Sequence, residues 1–205
     1  MSAETKYDRL AEGFSERDYA DPAGYARRRA EVIAQLGPPL RRGQSVLDLA
    51  CGDGVMAAPL AAHGLRYSGV DRSDAMIDAA RRRNPGVAFA VAELDAYEPP
   101  GPVDCTICLR AFYYARDRAA FFARVRSYTL GKLVFDVRPQ VYDVREIAGE
   151  LRRAGFEHVE LRPFLLPQSR TLPRPLRTAV RALEASGPPA RLVLRRHGSF
   201  FCAAF

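Results

Sequence analysis

The chain has 205 residues, enough for one α/β domain with a large buried core and too few for two. Its formal charge of +7 is carried almost wholly by arginine, since Lys6 and Lys132 are the only lysines. No apolar run approaches the ~20 residues of a membrane span, and no basic, apolar, small-residue leader opens the chain, so the expectation is a soluble cytoplasmic protein without membrane insertion.

Two helices are predicted before the first strand, over residues 5 to 14 and 22 to 36. Asp21-Pro22 supplies an N-cap followed by proline at the first helical position, and Gly37-Pro38-Pro39 stops the second helix. Tyr7, Phe14, Tyr19 and Tyr25 give this segment an aromatic edge, suited to packing onto the domain or to closing over a ligand. An apolar run from Ser45 to Ala50, holding one carboxylate at Asp48, then breaks into Gly52 and Gly54 and continues as Val55 to Ala62, rich in Ala and Leu. That pattern reads as strand, tight turn, helix. Glycines there permit positive φ and let a ligand lie against the backbone. Tyr67 to Asp71 reads as a second short strand, ending in an acid nineteen positions after Gly52. An acid at that place can take both hydroxyls of a ribose, so the stretch is a nucleoside-cofactor site.

Charge selects the cofactor. Gly52 to Ala57 fits G-x-G-x-x-A, so the glycines alone do not exclude NAD. A pyrophosphate, however, wants the bare positive end of a helix, and Asp48 and Asp53 bracket this turn with two carboxylates that repel phosphate. They suit S-adenosylmethionine (SAM), which lacks phosphate and carries a sulfonium and an ammonium.

At Asp48-Leu49-Ala50-Cys51-Gly52-Asp53-Gly54 the sequence resembles the first motif of the class I SAM-dependent methyltransferases, and Asp71 falls where that family's ribose-binding acid falls. The resemblance implies an α/β, Rossmann-like open sheet of about seven strands. The sheet is mostly parallel, with an antiparallel last strand between its neighbours and helices on both faces. It also implies SAM as methyl donor, S-adenosylhomocysteine as product, and a single domain. Residues 1–39 would form a helical lid, residues 40–165 the cofactor-binding core, and residues 166–205 a basic connection, a helix and the last strand. Within the core, Asp48, Ala50, Cys51, Gly52, Asp53, Gly54, Asp71, Arg72 and Met76 are the expected contacts around the first two strands. Glu93 or Asp95 stands where the family places the acid that accepts from the adenine amine, beside Leu94. Leu109 and Arg110 are expected near the sulfonium.

Beyond Asp71, Ser73-Asp74 starts a helix through Arg83 that Asn84-Pro85-Gly86 ends, and Val87 to Ala92 reads as the third strand. Tyr97 to Gly101 is short and proline-rich, which leaves no room for a helix. Val103 to Leu109 is the fourth strand and leads to Arg110-Ala111-Phe112-Tyr113-Tyr114. Cys105 and Cys108 lie in it, on opposite faces at an offset of three, so they cannot grip one metal together; no metal is expected. Asp117 caps a helix through Tyr128, Leu133 to Pro139 is the fifth strand, and residues 143 to 154 form a helix ended by Gly155. His158 to Leu165 is a sixth strand, a proline-rich connection leads to a basic helix near 175 to 186, and Ser199 to Phe205 is a last strand. From Glu160 onward eight Arg face two Glu, or +6, leaving +1 for residues 1 to 159. Such a segment suits an acidic substrate, a nucleic acid, a membrane surface or a plainly solvated face.

Methyl transfer asks the protein mainly to align the acceptor with the sulfonium and exclude water. A general base is needed only where the acceptor keeps its proton near neutral pH. Asp136, Tyr113 and His197 are the candidate catalytic residues. Arg110 and Arg138 are placed to hold an acidic acceptor bidentately, with Tyr7, Tyr19, Tyr113, Tyr114 and Tyr142 as further acceptor contacts. After the fourth strand there is no Asn/Asp-Pro-Pro-Tyr/Phe, no Pro-Cys nucleophile and no paired-glutamate loop, and these absences resemble the small-molecule branch of the family. The leading reading is therefore methyl transfer to a small-molecule acceptor, most often at oxygen, with nucleic acid not the expected partner. The alternatives are a methyltransferase of RNA or another polyanion that uses the basic C-terminal segment, and a non-catalytic SAM-binding module.

Overall fold

A computed structural model describes residues 11, 13–165, 172–185 and 199–205. A short helix α1 (Phe14–Asp18) and a longer α2 (Pro22–Gln35) precede β1 (Ser45–Leu49), α3 (Ala57–Ala62), β2 (Arg66–Asp71), α4 (Asp74–Arg83) and β3 (Ala88–Val91). Then come β4 (Val103–Cys108), α5 (Arg118–Tyr128), β5 (Thr129–Val137), α6 (Val144–Arg153), β6 (Val159–Phe164), α7 (Arg174–Ala185) and β7 (Ser199–Ala204).

The sequence signals act where expected. Asp21 accepts from the Gly24 N–H at 2.8 Å with Pro22 at the first helical position, while Ser73 and Asp117 cap α4 and α5 by accepting from Met76 and Ala120. The helix expected at 5 to 14 falls mostly outside the described residues. What is described is the five-residue α1, which starts only after Gly13, at φ 65°. That left-handed backbone cannot continue a right-handed helix.

The seven strands form one sheet in the order β3-β2-β1-β4-β5-β7-β6. All neighbouring pairs are parallel except those of β7, which runs antiparallel between β5 and β6. The order reverses between β1 and β4, and in open parallel sheets ligands bind outside the carboxyl ends of the strands at such a reversal. On one face α2 buries Ala26, Ala30 and Ile33 against Val46, Cys105, Ile107 and Val134. On the other, Phe121, Phe122 and Val125 of α5 and Ile147 and Leu151 of α6 cover Leu47, Cys108, Leu133 and Phe135. Cys105 and Cys108 thus sit on opposite faces. All four cysteines are buried free thiols, and burial pushes Cys105 up to about 12. Among the described residues no three His, Cys, Asp or Glu side chains gather to hold a metal, and no helix is long and apolar enough to cross a membrane.

Candidate active site

A cavity of about 290 Å³ opens at the β1/β4 reversal. Its nucleoside side is built from β1, β2 and the glycine turn. Gly52 has φ 56°, and a Cβ there would meet only Phe14, at 4.0 Å, so the face of the turn is open to a ligand. Gly54, at φ 69°, backs onto Asn84, Ala80 and Phe89 within 3.0 Å and serves packing instead. Asp71 ends β2 with Oδ2 accepting from the Gly52 N–H at 2.9 Å and Oδ1 from the Ser73 N–H at 3.0 Å. Burial raises its carboxyl, with those two N–H groups pulling the other way. The sequence-predicted Asp48, Ala50, Cys51, Gly52, Asp53, Asp71, Arg72, Met76, Leu109, Arg110, Tyr19, Tyr113 and Tyr114 all line this cavity.

A smaller cavity of about 100 Å³ adjoins it, lined by Arg72, Glu93, Leu94, Asp95, Tyr114 and Arg116 among others. Here the choice between the two acids sharpens. Glu93 is exposed, whereas Asp95 accepts from the Arg116 N–H at 3.0 Å with one oxygen and buries the other without a partner. Arg72 also buries an unpartnered Nε beside both cavities. Two orphaned buried polar atoms at one subsite call for a polar ligand.

The two acids of the glycine turn are not equivalent. Asp53 is engaged on every side: Ser15 donates its N–H at 3.2 Å and its hydroxyl at 2.7 Å, and Arg83 Nη2 donates at 2.9 Å. Its charge is therefore met within the protein, and it fastens α1 to the turn. Asp48 is 2% exposed and accepts only from the Tyr67 hydroxyl, at 2.7 Å. Burial pushes its carboxyl up to about 7 against that hydrogen bond. The charge argument made from both acids thus rests on Asp48.

The opposite wall, formed by α2, Tyr19 and the end of β4, was less legible. Ala50 and Arg110, at the ends of β1 and β4, both take positive φ (59° and 57°), which non-glycine residues rarely adopt. Asp136 accepts a short hydrogen bond from the Arg110 N–H and holds that turn. Asp136 does not line this cavity. Arg110 is committed as well, since Nη1 donates to Asp18 at 3.1 Å and to the Tyr19 hydroxyl at 3.0 Å. Arg138 is exposed and off the cavity. Tyr142 lies behind Tyr113, the rings stacked at 6.3 Å and 13°. Burial pushes the Tyr113 phenol up to about 12. Tyr7 and His197 lie outside the described residues. Sequence reasoning missed Ser15 and Arg29. The signal for Arg29 was its place on the stripe of α2 shared by Ala26, Ala30 and Ile33, where a charged residue needs a reason to be buried.

The sheet order, with β7 antiparallel between its neighbours, is the Rossmann-like fold shared by class I methyltransferases. Residues 46–129 match the family model described as a methyltransferase domain. It is 32% identical to trans-aconitate 2-methyltransferase of Rhizobium etli over 99 residues, 46% of this chain and 37% of that protein. It is also 33% identical to a dTDP-4-amino-2,3,4,6-tetradeoxy-D-glucose N,N-dimethyltransferase of Saccharopolyspora spinosa, over 45% of this chain and 35% of that one. The chain thus spans little more than a third of the length of these relatives. A methyltransferase from Haloferax volcanii, solved in complex with a methyltransferase activator, shares the fold with a TM-score of 0.66 at 21% identity, covering 97% of this chain and 96% of that one.

Proposed function

We propose that the chain transfers a methyl group from SAM to a small-molecule acceptor, at oxygen in the first instance. The observation that carries this reading is Asp71, a half-buried carboxylate hydrogen-bonded to the open glycine turn and lining the cavity at the sheet reversal. SAM fits the donor set: Asp71 would meet the ribose, Asp95 with Leu94 the adenine edge, and Asp48 the ammonium. SAM would supply a methyl carbon activated by positive sulfur, with the sulfur as leaving group for the acceptor's electron pair. The relatives' names point to small acceptors, an organic acid in one and an amino sugar in the other.

What the residues do is align and shield. Tyr113 and Tyr114 stand at the mouth with their rings 4.7 Å apart. Phe14 and Ser15 of α1 close the turn from above, so that water is kept from the reacting atoms. With Asp136 held by Arg110 and Tyr113 protonated, the described wall favours an acceptor atom that is already a nucleophile near neutral pH. Replacing Asp71 by Ala is expected to weaken SAM binding at least about 100-fold by calorimetry. Unchanged affinity would remove the basis of the reading.

A further inference from the structure

Three consecutive aromatic residues, Phe112, Tyr113 and Tyr114, form the single turn that follows β4, and they divide between core and solvent. Phe112 is 1% exposed and packs on Phe135, the ring centroids 5.0 Å apart. Tyr113 and Tyr114 are turned outward, 36% and 54% exposed, and both line the cavity. Core packing accounts for the first ring but not for the other two, because a ring left in water forgoes the burial that makes aromatic residues stabilising. Exposed apolar groups gathered at a cavity mouth mark a ligand surface.

Other rings fix the setting of Tyr113. It stands edge-on to Phe112 at 5.7 Å and 72°, and Tyr142 lies nearly parallel to it at 6.3 Å and 13°. Tyr142 packs in turn on Phe112 at 5.2 Å. It belongs to the β5–α6 connection, where residues 139–145 line a separate groove of about 460 Å³ and the neighbouring Val141 is 58% exposed. Aromatic and apolar surface therefore extends from the end of β4 to the end of β5. The nucleoside wall lies across the sheet reversal, at β1 and β2, which leaves the β4 and β5 side for the acceptor. Among the described residues the Tyr113 and Tyr142 hydroxyls make no hydrogen bond within the protein, so both remain available to a polar substituent on a bound ring.

We infer that Tyr113, with Tyr114 and Tyr142, forms a ring-stacking platform and that the acceptor it receives is a planar aromatic molecule. The inference rests on the methyltransferase reading of this cavity and deepens it by naming the acceptor's chemical class. The nucleoside's adenine is a second flat ring, and Tyr114 also lines the smaller cavity beside Asp95, so the test has to tell the two rings apart.

The test is calorimetric titration of the wild-type chain, Tyr113→Leu and Tyr113→Phe. Each is titrated with S-adenosylhomocysteine and, once saturated with it, with catechol, 2,3-dihydroxynaphthalene and the saturated control cyclohexane-1,2-diol. The wild-type chain is expected to bind the two aromatic diols at least about 10-fold more tightly than the saturated one, because only a flat ring stacks. Tyr113→Leu should weaken the aromatic diols about 3- to 10-fold and leave S-adenosylhomocysteine within about twofold, while Tyr113→Phe, which keeps the ring, should hold both. Should Tyr113→Leu fail to fold, the more exposed Tyr114→Leu takes its place with the same expectation. Equal binding of aromatic and saturated diols by the wild-type chain, or binding of neither, would overturn the inference. So would aromatic binding unmoved by the leucine variant, or a loss confined to S-adenosylhomocysteine, which would give the ring to the adenine. A wild-type chain that does not bind S-adenosylhomocysteine would instead overturn the methyltransferase reading, and aromatic binding by the free chain that is lost with Tyr113 would still uphold the platform.

Discussion

The cavity has two walls made by different means. On the nucleoside side the backbone does the shaping: a turn with two glycines at positive φ, strand ends that aim Asp48 and Asp71, and N–H groups that fix the Asp71 carboxylate. On the opposite side long side chains do it, with Arg29 and Arg110 reaching from α2 and β4 to one tyrosine of the N-terminal segment. A backbone-built wall is rigid and suits a ligand common to a whole family, whereas a wall of arginines and tyrosines can be rebuilt one residue at a time. That division is what a cofactor-binding core with a variable acceptor side requires.

The contrast breaks most severely at Asp71. Its loss to Ala should abolish measurable SAM binding while the fold stands, because the half-buried carboxylate lines the cavity and lies outside the apolar core. Next is the tie between the two walls. Arg83 joins Glu16 of α1 to Asp53 of the turn, and Arg83→Met leaves a 2%-exposed carboxylate with only the Ser15 donors. A loss of about 2 kcal/mol in denaturant unfolding is expected, together with faster proteolysis near α1; a change below ~0.5 kcal/mol would mean that α1 is not held there. The smallest effect is on pH. The Asp48 carboxyl, raised to about 7 by burial, must ionise to face an ammonium, so SAM affinity should rise about threefold to tenfold from pH 6 to pH 8. Asp48→Asn should flatten that profile. A flat wild-type profile would show that Asp48 does not meet the cation.

The same division explains what could be read from sequence. The caps at Asp21, Ser73 and Asp117, the glycine turn and the acid ending β2 are all local, each written within a few residues, so the core and the nucleoside wall were legible. The antiparallel β7 came from the family resemblance rather than from periodicity. The opposite wall was not legible because its parts meet only in three dimensions: Tyr19 and Arg110 bond across 91 positions. The positive φ of Ala50 and Arg110 carries no glycine to announce it. Asp136 ends a strand beside the site, and nothing local announces that it accepts from the Arg110 N–H. Asp53 looked like half of a charge filter, but Arg83, 30 positions away, neutralises it.

The central claim is that this cavity holds a sulfonium nucleoside and not a dinucleotide, and one measurement addresses it directly. Calorimetric titration of the wild-type chain with SAM, S-adenosylhomocysteine and NAD side by side should give binding of the first two and none of the third. Binding of NAD, or of none of the three, would contradict the account.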